Sequence, residues 1–156
     1  MIDQTSPARD NATDILRWAA IAFVIGFGIH GLDHLRRGMS ASPPFIMVGG
    51  MIQGLFVAIA VIMALTGRRR APEAAIAVGF GSAVVFTYAH LLPSYFPAYQ
   101  DSFVSGPRIN VTWFSWISAV AEIGTGIVFA IAGFRARRPS GVSSVVQLRP
   151  HQGVSR

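Results

Sequence analysis

Four uninterrupted apolar runs constrain this chain more than any other feature: Ile15 to Leu35, Phe45 to Thr66, Ala74 to Leu92 and Val111 to Phe134. Each is about 19 to 24 residues long, and roughly 20 helical residues are needed to cross about 30 Å of hydrocarbon. The runs are continuous rather than alternating, and only helices or closed barrels satisfy their backbone in lipid, so the runs are read as helices. Composition agrees: 52% of residues are hydrophobic and 13% charged, with mean hydropathy +0.49. A soluble domain has about a quarter charged residues. The expected fold is therefore an all-α integral membrane four-helix bundle.

The spans divide the chain into an N-terminal tail (1–14), a transmembrane domain (15–135) and a C-terminal tail (136–156). The opening "MIDQTSPARDNATD" lacks the basic n-region and small-residue cleavage site of a signal peptide, so it reads as a tail. The closing "RPSGVSSVVQLRPHQGVSR" has no periodic apolar face and reads as a disordered basic tail.

All thirteen basic residues are Arg, and the formal net charge is +6. No aromatic-basic surface pattern accompanies that charge, so nucleic acid is not an expected partner. Membrane lipid is. With both termini on one side, ten Arg share that side: Arg9, Arg17, Arg68, Arg69, Arg70, Arg135, Arg137, Arg138, Arg149 and Arg156. Only Arg36, Arg37 and Arg108 fall opposite, so the excess of basic residues on the inner side predicts both termini cytoplasmic. Tyr95, Phe96, Tyr99, Phe103, Trp113 and Trp116 crowd the outer boundary, either as an aromatic belt or as a short lid. The Arg-only basic composition fits a GC-rich genome, and the expected location is a bacterial inner membrane.

The absence of Cys removes disulfides, thiolate metal sites and Cys nucleophiles. Chemistry must then come from the titratable side chains within the spans: His30, Asp33, His34, His90 and Glu122. A charge at mid-bilayer costs on the order of 3 kcal/mol, so such groups face partners or a cavity and mark candidate sites. His30, Asp33 and His34 share one helical face, because residues three and four apart are neighbours. His90 precedes Pro93 at a depth similar to His34, and Gln53 is level with His30. Ser115, Ser118, Glu122 and Thr125 form a polar stripe on the fourth helix. All of these converge in the outer half of one bundle.

Three chemistries suit the constellation. A metal ion such as Zn, Fe or Cu would take His30, His34 and His90 as ligands, with Asp33 as a further ligand or an orienting carboxylate. A haem b would use His34 or His30 with His90 as an axial pair. Arg36 and Arg37 would then pair with its propionates, and Gly26, Gly28, Gly31, Gly79 and Gly81 would leave room for the macrocycle. Proton or small-ligand handling would use Asp33, His30 and Glu122 as a half-channel. Against these stands simple interhelical hydrogen bonding, contributing roughly 0.6 to 2 kcal/mol per bond. In that case Asp33 pairs only with Arg36 or Arg37.

"GFGIHG" fits G-x-G-x-x-G formally, but it lies mid-span and lacks the strand that a dinucleotide turn requires. Its glycines, like Gly50 and Gly54 of "GGMIQG", are expected to permit close helix approach. Echoes between "AIAFVIGFG" and "AIAVGFG", and between "QGLFVAIA" and "TGIVFAIA", hint at tandem hairpins.

The reading that best fits the pattern is metal or haem binding at an outward-facing intramembrane His/Asp site. Of its two catalytic carboxylates, Asp33 would orient the site and Glu122 would be a buried acid/base or proton group. The chief alternative is an accessory subunit that packs on other membrane subunits, or on copies of itself, through its glycine faces.

Overall fold

A computed structural model of the chain describes residues 7–137. Four α-helices account for most of them: α1 (Pro7–Arg37), α2 (Pro44–Leu65), α3 (Ala71–Phe86) and α4 (Trp113–Ala136). A π-turn, Thr87–Leu91, continues α3, and the described residues contain no strand. All four helical segments are long and apolar enough to cross a membrane. The molecule is an all-α four-helix membrane bundle.

The boundaries differ from the sequence expectation where capping chemistry intervenes. α1 begins at Pro7 rather than Ile15; a proline at a first helical position loses no hydrogen bond. Residues 7–14, expected as tail, are therefore helical. The C-terminal tail from residue 138 lies outside the described residues. α2 ends in a Schellman turn, in which Arg68 N–H donates to the Met63 carbonyl at 2.9 Å and Gly67 N–H to Ala64 at 3.2 Å. Gly67 sits at φ +64°, which a side chain would strain. α4 starts at Trp113 rather than Val111 because Asn110 turns the chain at φ +52° and Thr112 is extended. Ser115 Oγ then accepts from Thr112 N–H at 3.2 Å, satisfying a donor at the helix entry.

We call the end holding the α2–α3 turn basal and the end holding the α1–α2 and α3–α4 loops distal. The basal half is a dry apolar core. Leu16, Ala19, Ala20 and Phe23 of α1 meet Val57, Ala60, Val61 and Ala64 of α2, Ala71 and Ala75 of α3, and Phe129 and Ala132 of α4. Phe23 and Phe129 stack there with ring centroids 5.5 Å apart.

α4 is wedged against both α1 and α3 through small residues. A Cβ on Gly79 would strike the Gly126 carbonyl, and would come within 2.9 Å of Ala130 N. One on Gly26 would strike Thr125 Oγ1. In lipid, where burial gives no hydrophobic drive, such backbone-close contacts are what hold helices together. Across the diagonal α1 and α3 meet only through long side chains, such as the Phe27 and Phe86 rings at 6.5 Å. α2 completes the bundle more loosely. The two sequential hairpins are thus not equivalent, despite the sequence echoes.

Candidate metal centre

The distal interior is polar. His30 and His90 are buried, at 3% and 1% exposure, and His34 is half-buried. The three rings cluster, with centroids 4.8 Å apart for His30–His34 and His30–His90 and 5.7 Å for His34–His90. One nitrogen from each lies within 4.8 Å of the others. Sequence spacing placed His30 and His34 together on one helix face. The π-turn brings His90 to them. Leu92 is extended, as a residue before proline prefers. The wider π-turn aims His90 into the interior, a kind of bulge frequent at functional sites.

The outer nitrogens indicate the tautomer of His34 and His90. His90 Nδ1 lies 3.0 Å from the Asp101 main-chain carbonyl, which can only accept, so Nδ1 carries the proton. Ser42 donates its hydroxyl proton to Asp101 Oδ2 at 2.6 Å and therefore accepts from His34 Nδ1–H at 3.1 Å. Ser118 donates to the Ser115 carbonyl at 2.9 Å and lies 3.4 Å from His30 Nδ1. Hydrogens assigned from this network leave Nε2 bare on His34 and His90, while the long Nδ1 contact of His30 allows its proton on either nitrogen. The Nε2 atoms of His30 and His34 face each other at 3.1 Å. One proton shared between the two nitrogens, or one metal ion bound by both, accounts for that distance. Ligand nitrogens on a tetrahedral zinc, bonded at about 2.0 to 2.1 Å, are separated by roughly 3.3 Å.

Asp101 organises the outer shell. Arg37, buried at 3% exposure, donates to both its oxygens at 2.5 and 2.8 Å and to the Ile109 carbonyl at 3.0 Å. Burial pushes the Asp101 carboxyl up, but the hydrogen bonds from Arg37 and Ser42 outweigh it and hold the group below its ordinary value. A connected path runs from Arg37 through Asp101 and Ser42 to His34, and through the Asp101 backbone to His90. The sequence reading did not single out Asp101 or Ser42. The available signal was Arg37 itself, a cation at a span end that needs a counter-charge.

Asp33, expected as ligand or orienter, is not one of the clustered donors. Its Oδ1 accepts from Arg36 Nε at 2.9 Å and from Arg36 Nη2 at 2.8 Å. Its Oδ2 is buried without a partner. Arg36 also reaches the Asn110 carbonyl and Ser115 Oγ. Both arginines expected to meet haem propionates are thus engaged within the protein. Of the glycines expected to admit a macrocycle, Gly26 and Gly79 abut α4, while Gly28, Gly31 and Gly81 are exposed on the bundle surface.

Glu122 is fully buried, and neither carboxyl oxygen has a hydrogen-bond partner. Its Oε2 lies 4.0 Å from His30 Nδ1, behind the ring and opposite Nε2. Gln53 bonds to Ser82 of α3. The aromatic loop is part of the distal architecture. Phe103, 1% exposed, packs on the His90 ring at 4.6 Å. Gln100 ties the loop together, accepting from Tyr95 and Phe96 N–H and donating to the Tyr88 and Pro93 carbonyls.

No protein family, curated protein or solved structure matches this chain. The centre is therefore read from its own geometry.

Proposed function

We propose that this chain is a membrane metalloprotein in which His30, His34 and His90 hold a single transition-metal ion through Nε2. One observation carries the reading: three buried or half-buried imidazoles bring one nitrogen each within 4.8 Å of the others, and the Nδ1 atoms of His34 and His90 are held from behind by oxygen partners. That is the arrangement by which proteins orient metal-ligating histidines. Three neutral imidazoles suit zinc, iron or copper, and three protein ligands leave a position open for water or substrate. Bound there, the ion would supply Lewis-acid or redox chemistry. Glu122 is the carboxyl closest to His30, and its charge would offset that of the ion through the ring. Asp33 acts at one remove, by anchoring Arg36.

A single ion is favoured over haem b. A porphyrin needs its axial nitrogens on opposite faces with the macrocycle between them. Ring centroids 4.8 Å apart for His30–His90 and 5.7 Å for His34–His90 leave too little room for one between them.

With the basal end carrying Arg68, Arg69 and Arg70, the basic asymmetry favours both termini in the cytoplasm and the metal centre near the outer face of a bacterial inner membrane. Cysteine labels at Ser6 and Ser143 are then reached only from the cytoplasm, and one at Ser40, exposed in the α1–α2 loop, only from outside, since Ser102 of the α3–α4 loop is buried. Inverted labelling would place the centre on the cytoplasmic side.

The deciding experiment is elemental analysis and a visible spectrum of protein purified without chelator. One equivalent of metal, lost in the His30→Ala/His90→Ala double variant, supports the reading. A Soret band would replace it with haem, and neither signal would sink it.

A further inference from the structure

A pocket of about 270 Å³ opens sideways between α2 and α3 in the distal half. His34 and His90 form part of its wall, with Phe45, Val85 and Tyr88 among the other lining residues. Phe45 and Val85 are more than half exposed, at 61% and 51%, on helices that face lipid. The opening therefore lies on the lipid-facing side of the bundle, with Tyr99 of the α3–α4 loop at its outer end.

Two glycines explain the space. Gly49 and Gly50 line the pocket from α2, yet a Cβ at either meets nothing within 4 Å. They differ from Gly79 and Gly133, where a Cβ would collide with a neighbouring helix. Glycine at 49 and 50 thus serves no helix contact within the chain; it keeps a volume open. Two polar groups point to what fills that volume. His90, 1% exposed, has its Nδ1 committed and no hydrogen-bond partner at Nε2. Gln53 spends its amide N–H on Ser82, leaving its carbonyl oxygen without a protein donor. The rest of the wall is mostly apolar.

We propose that the α2–α3 gap admits from the bilayer a single-chain amphiphile, its oxygen-bearing head meeting the ion held by the histidines and its apolar tail lying between the helices. This rests on the metal reading above. The volume is just below the roughly 300 to 1,000 Å³ of small-molecule sites, so a head group and a stretch of chain fit while the tail extends into lipid. Ligand access is then governed by partition into the membrane, and the fourth metal position is reached laterally.

The test uses the full chain in phosphatidylcholine nanodiscs with palmitic acid carrying a mid-chain diazirine. After photolysis, peptides containing Gly50 or Tyr88 are compared with the peptide containing Val128, which is 52% exposed on α4 and reports ordinary lipid contact. Labelling at the gap is expected to exceed that baseline at least fivefold. It should fall to baseline in Gly50→Leu, whose Cβ meets nothing within 4 Å and whose longer side chain takes up part of the gap, while elemental analysis still finds the metal. EDTA treatment should reduce gap labelling in the wild type. Gap labelling at baseline in metal-loaded wild type, or labelling unaffected by Gly50→Leu, overturns the lateral site while the metal reading stands. Selective labelling in a protein that carries no metal removes the metal reading and the head-group contact but leaves the tail site. Labelling unaffected by EDTA overturns the head-group contact alone.

Discussion

At the basal end Phe23 and Phe129 stack at 5.5 Å inside a shell of alanines. Seven residues on in α1 and seven back in α4, His30 and Glu122 occupy the same interior at 4.0 Å. The same helix pair changes, in about two turns, from a dry apolar seam to a cluster of titratable groups. Small residues let α4 seat deeply against α1 and α3 and set the helix positions. The distal half uses that fixed scaffold to hold groups that would not assemble unaided, since buried polar groups are costly unless partnered. The contrast teaches a division of labour, with stability set basally and chemistry held distally. Substitutions in one half should leave the other half's property largely intact.

The largest effect should come from His90→Ala, which removes one of the proposed ligands without touching the basal seam. Metal affinity is expected to fall more than 100-fold, a greater loss than the 10- to 100-fold typical of groups behind the ligands. Far-UV circular dichroism should show the helices retained. Loss of helicity together with metal would mean that the distal site also holds the fold.

Asp101→Asn should come next and breach the division. It leaves Arg37 buried without its counter-charge, which costs about 3 to 5 kcal/mol, and it weakens the Ser42 link behind His34, while the main-chain carbonyl that holds His90 is kept. Metal affinity should drop about 10- to 100-fold. Trp116, whose ring lies 5.8 Å from that of Phe103, should report the freed loop by a fluorescence change. A variant with wild-type stability and metal content would show that the Arg37–Asp101 pair is dispensable.

Gly133→Val tests the basal half. Its Cβ would lie 2.7 Å from the Pro72 carbonyl and 3.0 Å from Ala75 Cβ, and overpacking of this kind costs about 1 to 3 kcal/mol. The midpoint of thermal unfolding in detergent should fall by several degrees while metal stoichiometry stays at one. A lost metal with an unchanged midpoint would reverse the assignment of the halves.

Glu122→Gln should have the smallest effect on stability, because the shape is kept and a donor is gained. If the carboxylate offsets the ion's charge, metal affinity should fall by up to about 10-fold in the intact bundle. Unchanged affinity with unchanged stability would reduce Glu122 to packing.

Hydrophobicity and length by themselves determined the four spans, because a membrane core imposes a fixed thickness and forbids unpaired backbone. Helical periodicity likewise determined that His30 and His34 share a face, since i and i+4 are neighbours in any α-helix. The grouping of His90 with them was expected only from similar depth. The tertiary structure decided it, through a π-turn whose i→i+5 geometry leaves no periodic trace in the sequence. Asp33 lay on the right face for a ligand, but Arg36 at i+3 claims its carboxylate. Only the folded α3–α4 loop sets Asp101 beneath Arg37, 64 residues away in sequence. The glycines separate in the same way: Gly79 and Gly133 meet α4 or α3, whereas Gly49 and Gly50 face a gap. Sequence can register the missing side chain, but only packing shows whether a neighbouring helix or open space lies opposite it.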